Sequence, residues 1–283
     1  MPKLKILNYV NAITINRRYN TSGHSPILVT ADDFNTYVVK FIKTSFDKHS
    51  ITKEFLCSHF LTVWYVNAPT PAAVKFSNNI LEQNTVNLTL KEQENMSKMC
   101  CFGSRFIPRA IDLSNILSFK YYGSYSKIKN PDDIFKIGLF DIWVENDDRK
   151  DSNNNLLLYP TGKCLAIYPI DHAYTFSTMP FSDLHKGNNV SFSYNDSILH
   201  SDFAKHIIKK TKINQVFYDK LKKNFYLCIH NTEENLPLIL QNIPKEYSLS
   251  SQEVDDLKSF LFNKNRNQAV FEEFVYILEK IKK

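Results

Sequence analysis

The chain has 283 residues, a formal net charge of +6, 43% hydrophobic and 23% charged residues, and only six glycines. That composition supports a sizeable core and excludes global disorder as well as collagen-like or Gly-rich linker architecture. No apolar run approaches the roughly 20 residues that a membrane helix needs. The basic start is broken at Asn8, Asn11 and Asn16 and does not read as a secretory signal. Five cysteines (Cys57, Cys100, Cys101, Cys164 and Cys228), an odd number without a C-x-x-C spacing, read as reduced thiols of a cytoplasmic protein. The lysine clusters Lys209-Lys210, Lys222-Lys223 and Lys280 to Lys283 read as solvated helix faces, so nucleic acid is not an expected partner.

In chain order, Tyr9 to Ile15 alternates weakly as a strand and residues 17–25 form a polar loop containing Gly23. Pro26 to Thr30 and Thr36 to Ile42 are β-prone runs joined by the turn residues Asp32 to Asn35, which predicts a hairpin. A helix follows, with Ser50 as its N-cap and Leu56, Phe60, Val63 and Trp64 at helical spacing, ending before Pro69 and Pro71. Thr70 to Phe76 is a further strand, residues 78–96 an irregular or loosely helical insertion, and Met99 to Ile107 a central strand holding Gly103. After Pro108 the periods become helical. Ile134 to Val144 predicts a buried helix, and Leu156 to Tyr168 a strand, turn and strand around Gly162. From Ser197 the chain is helical and amphipathic, with an inner face of Leu257, Phe260, Leu261, Phe271, Phe274, Val275, Leu278 and Ile281. Segregated elements of this kind predict an α+β fold of two lobes, divided near residues 101–110, and not a doubly wound parallel sheet.

The densest polar run, Glu145 to Asn155, lies between the predicted buried helix and the second hairpin. A solvated loop is its ordinary reading. Within it, however, Asp148 and Asn153 are five residues apart, the separation at which phosphoryl-transfer enzymes set a hydroxyl-orienting Asp and a Mg²⁺-ligating Asn. The strand Leu165 to Ile170 ends in Asp171, a carboxylate suited to a hard cation and equally to capping a turn. Lys40 closes the apolar run Tyr37 to Val39, where a lysine must snorkel or meet an anion. Glu54 is its predicted partner, with Lys43, Lys48 and Lys53 as solvated competitors. Neither G-x-x-x-x-G-K-[ST] nor G-x-G-x-x-G is present, which argues against a P-loop NTPase or a dinucleotide fold. The loop Asn20 to Ser25 can form an anion nest from main-chain N–H groups around Gly23 and the hydroxyls of Thr21, Ser22 and Ser25, or be a plain hairpin loop.

Four stretches carry a resemblance. Ile27 to Phe41 resembles the nucleotide-lysine hairpin of HipA-like kinases, and Cys101-Phe102-Gly103-Ser104-Arg105 their lobe junction. Leu139 to Arg149 resembles the helix leading into their N-x-D-R motif, and Ile170-Asp171-His172-Ala173 their I-D-H-[GA] motif. The D-R-x-x-x-N arrangement is also similar to that of phosphatidylinositol 3- and 4-kinases. The resemblance implies a bilobal protein-kinase-like fold, with a small antiparallel-sheet lobe over residues 1–105 and a mainly helical lobe over 106–283. It implies ATP and Mg²⁺ as cofactors and a protein Ser or Thr as acceptor. Asp148 would be the base, selected over Asp147 by its neighbour Arg149, itself part of the motif. Asn153 and Asp171 would ligate the metal, with Asn155 the alternative to Asn153. Lys40 would clamp phosphates and Glu54 hold Lys40. Ser22 and Gly23 would lie over the nucleotide, and Phe102 and Gly103 would offer main-chain contacts to adenine. Lys150 stands where the family often has His. The kinase-like stretch begins almost at once, so a dedicated DNA-binding repressor partner is not implied. A nucleotide-binding pseudokinase or scaffold, or the same fold acting on a lipid or a small molecule, stays open.

Overall fold

The alternating burial of Val10, Ala12 and Ile15 follows from β1 (Asn8–Arg18), one face of which turns inward. The computed structural model of the chain describes residue 4 and residues 6–20, 25–44, 47–115, 127–186 and 197–283. The predicted hairpin is β2 (Ile27–Ala31) and β3 (Thr36–Lys40). Its turn is held by Asp33, whose carboxylate accepts the Asn35 main-chain N–H at 3.0 Å and the Tyr37 hydroxyl at 2.7 Å.

Helix α1 (Asp47–Val63) begins three residues before the predicted cap, so Ser50 lies in its first turn. Every residue from Ile51 to Leu61 is buried, which makes α1 a core helix without a solvated face. Phe55 packs edge-on against Phe102, and Phe60 and Trp64 pack on Trp143. Beyond it come β4 (Pro71–Lys75), α2 (Asn78–Glu82), α3 (Leu90–Lys98) and β5 (Cys101–Arg105). The predicted insertion thus holds two short helices. The second starts in a reciprocal box between Thr89 and Glu92, and Arg18 forks onto Glu92 at 2.6 and 3.1 Å.

The five strands close into a barrel in the order β1-β2-β3-β5-β4. The expected antiparallel sheet needs correction at one seam, since β1 and β4 run parallel from Asn8↔Ala72 to Asn11↔Lys75. The long crossover through β2, β3 and α1 returns the chain in the direction of β1. Gly103 is fixed by packing inside this barrel. A Cβ there would stand 2.6 Å from Val74 Cγ2 and 3.3 Å from the Ala72 carbonyl.

The rest of the chain is mainly helical. A strand absent from the sequence reading, β6 (Ile111–Asp112), joins the predicted pair β7 (Leu156–Thr161) and β8 (Cys164–Pro169). Before that pair lies α4 (Asp133–Trp143), in which only Lys136 escapes full burial. Helices α5 (Asp202–Lys210), α6 (Gln215–Gln241), α7 (Ser251–Leu261) and α8 (Lys264–Lys282) complete the core, and α1 contributes to it from the barrel side. The turn after α6 reaches back to the barrel. Tyr247 donates to the Cys100 carbonyl, and the Cys100 N–H donates to Glu246 Oε1 at 2.9 Å. Among the described residues no helix is long and apolar enough to cross a membrane.

Candidate active site

Lys40 is the last residue of β3, and its side chain leaves the strand for a buried position beside α1. Its ammonium meets Glu54 Oε1 and lies 2.7 Å from Asp171 Oδ1. Burial alone would lower the Lys40 pKa, but the two carboxylates outweigh it and raise it. The same balance works in reverse on Glu54. Burial opposes its charge, yet Lys40 and His172 hold its carboxyl well below the usual range. The predicted Lys40–Glu54 pair is therefore present, and Glu54 chooses Lys40 over its neighbour Lys53. Lys53 itself is buried, with its ammonium 5.9 Å from the Phe176 ring centroid, and is not the solvated residue that the sequence reading expected.

Arg149 is wholly buried and joins several elements of the site. One end of its guanidinium pairs with Asp141 of α4; the other donates to the Ile170 carbonyl at 2.7 Å and lies 3.0 Å from His172 Nε2. Burial pushes the Asp141 carboxyl up to about 6, against Arg149 and Asn146. Holding the Ile170 carbonyl sets the backbone just before Asp171, which adopts a left-handed φ of 60°. Three successive residues further on, Phe176, Ser177 and Thr178, are left-handed as well. Non-glycine residues keep such angles only under external constraint. Here the constraint is a set of bonds to the end of α4. Phe176 N–H donates to the Val144 carbonyl at 2.6 Å, and Ser177 Oγ donates to Glu145 Oε2 at 2.6 Å. Glu145 is in turn held by Arg266 of α8 at 3.0 Å.

The loop after α4 presents Asp148. Residues 150 and 153 exchange two main-chain hydrogen bonds of 3.0 Å, a tight reversal that returns Asn153 over Asp148. The Asp148 Oδ2 atom accepts both Asn153 Nδ2 and Asn155 Nδ2, each at 2.9 Å. Their amide nitrogens are thus engaged, and each asparagine has its side-chain oxygen left for a cation; Asn155 is set apart by a left-handed φ of 45° and by its carbonyl, which accepts the Ile170 N–H at 3.0 Å, next to Asp171. Among the described residues no three His, Cys, Asp or Glu side chains cluster as a self-sufficient metal site. The residues present fit a magnesium-like ion that takes a carboxylate and an amide oxygen from the protein and fills its shell with phosphate and water. Asp171, with 30% of its side chain exposed, is an accessible carboxylate.

The structure thus brings together Lys40, Glu54, Asp171 and Arg149, and Asp148 with Asn153 and Asn155, and the Asn155 carbonyl joins the two sets by accepting the Ile170 N–H at 3.0 Å and Arg149 Nε at 3.4 Å. Phe102 pairs with Lys40 in the barrel, but β5 is bonded to β3 on one edge and β4 on the other. Main-chain contacts from Phe102 and Gly103 to adenine do not fit, because those groups are committed to the ladders. Ser22 and Gly23 lie outside the described residues. Asp141 was missed as a site member; its only signal was a charged residue within a helix predicted to be buried. His172 stood in the Ile170-Asp171-His172-Ala173 motif, but its partners Arg149 and Glu54 were not foreseen.

A family model described as HipA-like kinase matches residues 12–271. Among solved structures the chain is similar to the Helicobacter pylori proinflammatory kinase CtkA, at 14% identity and a TM-score of 0.54, over 97% of this chain and 99% of that one. It is also similar to the Golgi casein kinase with Mn/ADP bound, at 12% identity and a TM-score of 0.45, over 97% and 73% of the two chains. Shewanella oneidensis HipA, in a complex with HipB and operator DNA, aligns at 11% identity and a TM-score of 0.42, over 94% of this chain and 64% of that one. No match was found among curated proteins. At such identities the CtkA likeness speaks to the fold alone.

Proposed function

Because the chain belongs to the HipA-like kinase family, we propose that it transfers the γ-phosphoryl group of ATP to a serine or threonine hydroxyl of a protein. In this reading residues 1–105 and 106–283 are the two lobes and the nucleotide lies between them. Lys40, held by Glu54, meets the α- and β-phosphates. Asp171 and Asn153 or Asn155 hold Mg²⁺, which when bound offsets charge on the phosphates. Asp148 orients the acceptor hydroxyl and takes its proton, while Arg149 keeps the backbone of Asp171 in place. The protein's part is positioning and electrostatics, with little covalent work.

The observation that carries the reading is the double engagement of Lys40, by Glu54 on α1 and by Asp171 after β8. The test is ADP release and transfer of labelled γ-phosphate to protein, in the presence of Mg²⁺. Activity in the wild type and its loss in Asp148→Asn are expected. Equal label transfer by the two proteins would remove Asp148 as the base.

A second reading, a nucleotide-binding scaffold without turnover, is favoured by Lys150, which stands where the family often has His. It predicts thermal stabilisation by MgATP, about 2.7 kcal/mol at 100 times Kd, with no ADP formed.

A further inference from the structure

His172 stands between the two halves of the site. Its ring is buried and packs edge-on against Phe140 of α4, with centroids 6.2 Å apart. One ring nitrogen, Nε2, is 3.0 Å from the Arg149 guanidinium. The other, Nδ1, faces Glu54 Oε2 at 3.7 Å. The chemistry of the neighbours fixes the proton. A guanidinium only donates, so Nε2 must accept. The ring hydrogen then resides on Nδ1, where it meets a carboxylate that only accepts. The Nδ1 contact is longer than a full hydrogen bond but has the matching polarity. Glu54 uses its other oxygen for Lys40. A continuous line of alternating partners therefore runs Asp141, Arg149, His172, Glu54, Lys40, Asp171.

We propose that His172 is a positioning residue that ties the Arg149 guanidinium to the Lys40–Glu54 pair, so that α1 aims Lys40 only while the loop bearing Asp148 is in place. The effect on ATP rests on the kinase reading above; the bridge itself does not. Neither nitrogen touches the phosphates in that reading. The imidazole acts through Glu54, by denying its carboxylate any other orientation, and through Arg149, by fixing the guanidinium that holds the Ile170 carbonyl.

Two variants separate the bridge from simple filling of space. His172→Gln keeps one acceptor and one donor. His172→Phe keeps the aromatic contact with Phe140 and removes both polar ends, leaving Glu54 and Arg149 each a buried partner short. At a temperature where circular dichroism shows all three proteins folded, His172→Phe is expected to raise the KM for ATP about tenfold, the scale of one unsatisfied buried group. His172→Gln is expected to stay within about threefold of wild type, because its amide meets both partners. Equal KM values for wild type and His172→Phe, or equal losses in both variants, would overturn the proposal. The second measurement needs no turnover and no variant. A long-range ¹H–¹⁵N spectrum of the wild-type protein is expected to show the His172 hydrogen on Nδ1, and a hydrogen on Nε2 would overturn the bridge. A chain that releases no ADP and still shows the Nδ1 hydrogen would defeat the kinase reading and leave the bridge standing.

Discussion

Lys40 Nζ and Asp171 Oδ1 lie 2.7 Å apart, joining the last residue of β3 to the turn after β8. The same ammonium holds Glu54, so one cation serves two carboxylates from different parts of the chain. Glu54, with its pKa lowered in the fold, contributes stability above its ordinary pKa of 4.5 that is lost as the pH falls through the folded value. Lys40, with its pKa raised, contributes stability below its ordinary 10.5 that is lost as the pH rises through the folded value. Both contributions are present across the neutral range. Lys40→Met leaves Glu54 buried without its cation and should cost about 3–5 kcal/mol by urea unfolding at pH 7. Adding Glu54→Gln should recover a large part of that loss. A Lys40→Met protein as stable as wild type would show that the pair carries no net energy.

Asp148→Asn should lower kcat by about 10²–10⁴-fold with little change in the affinity for MgATP. The two asparagines on Asp148 Oδ2 can be told apart by titration. Replacing the true ligand with Ala should raise the Mg²⁺ concentration needed for half-maximal activity, whereas replacing the other should lower kcat at an unchanged Mg²⁺ requirement. Identical Mg²⁺ curves for Asn153→Ala, Asn155→Ala and wild type would remove both from the cation site.

Gly103→Ala should destabilise the barrel by about 1–3 kcal/mol, the usual cost of overpacking, because the new methyl group meets Val74 Cγ2 at 2.6 Å. Combining it with Val74→Ala, which clears that methyl, should relieve part of the loss. A single variant with unchanged Tm would refute the packing account of this glycine.

Lys53 offers a pH test. Burial lowers its pKa to about 8, against smaller opposing pulls from Cys57 and Asp147. The unfolded chain holds that proton up to about 10.5, so it binds more protons than the fold between about pH 8 and 10.5, and stability should rise with pH across that window. Lys53→Met should therefore raise Tm by about 2 °C or more at pH 7, and its advantage should shrink by pH 9.5. A gap of constant size at the two pH values would mean that Lys53 keeps its ordinary titration in the fold.

How much of this was legible follows from the range of each interaction. The β2–β3 hairpin, helix α4 and the β7–β8 pair announce themselves within a few residues of sequence. Lys40 and Glu54 could be paired because a strand end followed by a buried helix leaves a lysine few other anions. The parallel closure of β1 on β4 could not be read, since neither strand carries a mark of its distant neighbour. Lys53 was misjudged for a related reason. A lysine near the start of a helix reads as solvated unless all sides of that helix are known to be covered, and α1 is covered on all sides. Arg149 and His172 were visible as motif residues, but their contact with each other, and that of Arg149 with Asp141, became evident only once α4, the loop and β8 were in place together.

The closed barrel has a consequence for how another polypeptide can be recruited. A five-stranded ring whose last strand bonds to its first leaves only short stretches of strand edge, since β1 bonds β4 through Asn8 to Asn11 and β2 through Ala12 to Arg18. An incoming peptide finds little edge for strand addition there. A polypeptide that engages this part of the protein must rely mainly on side chains.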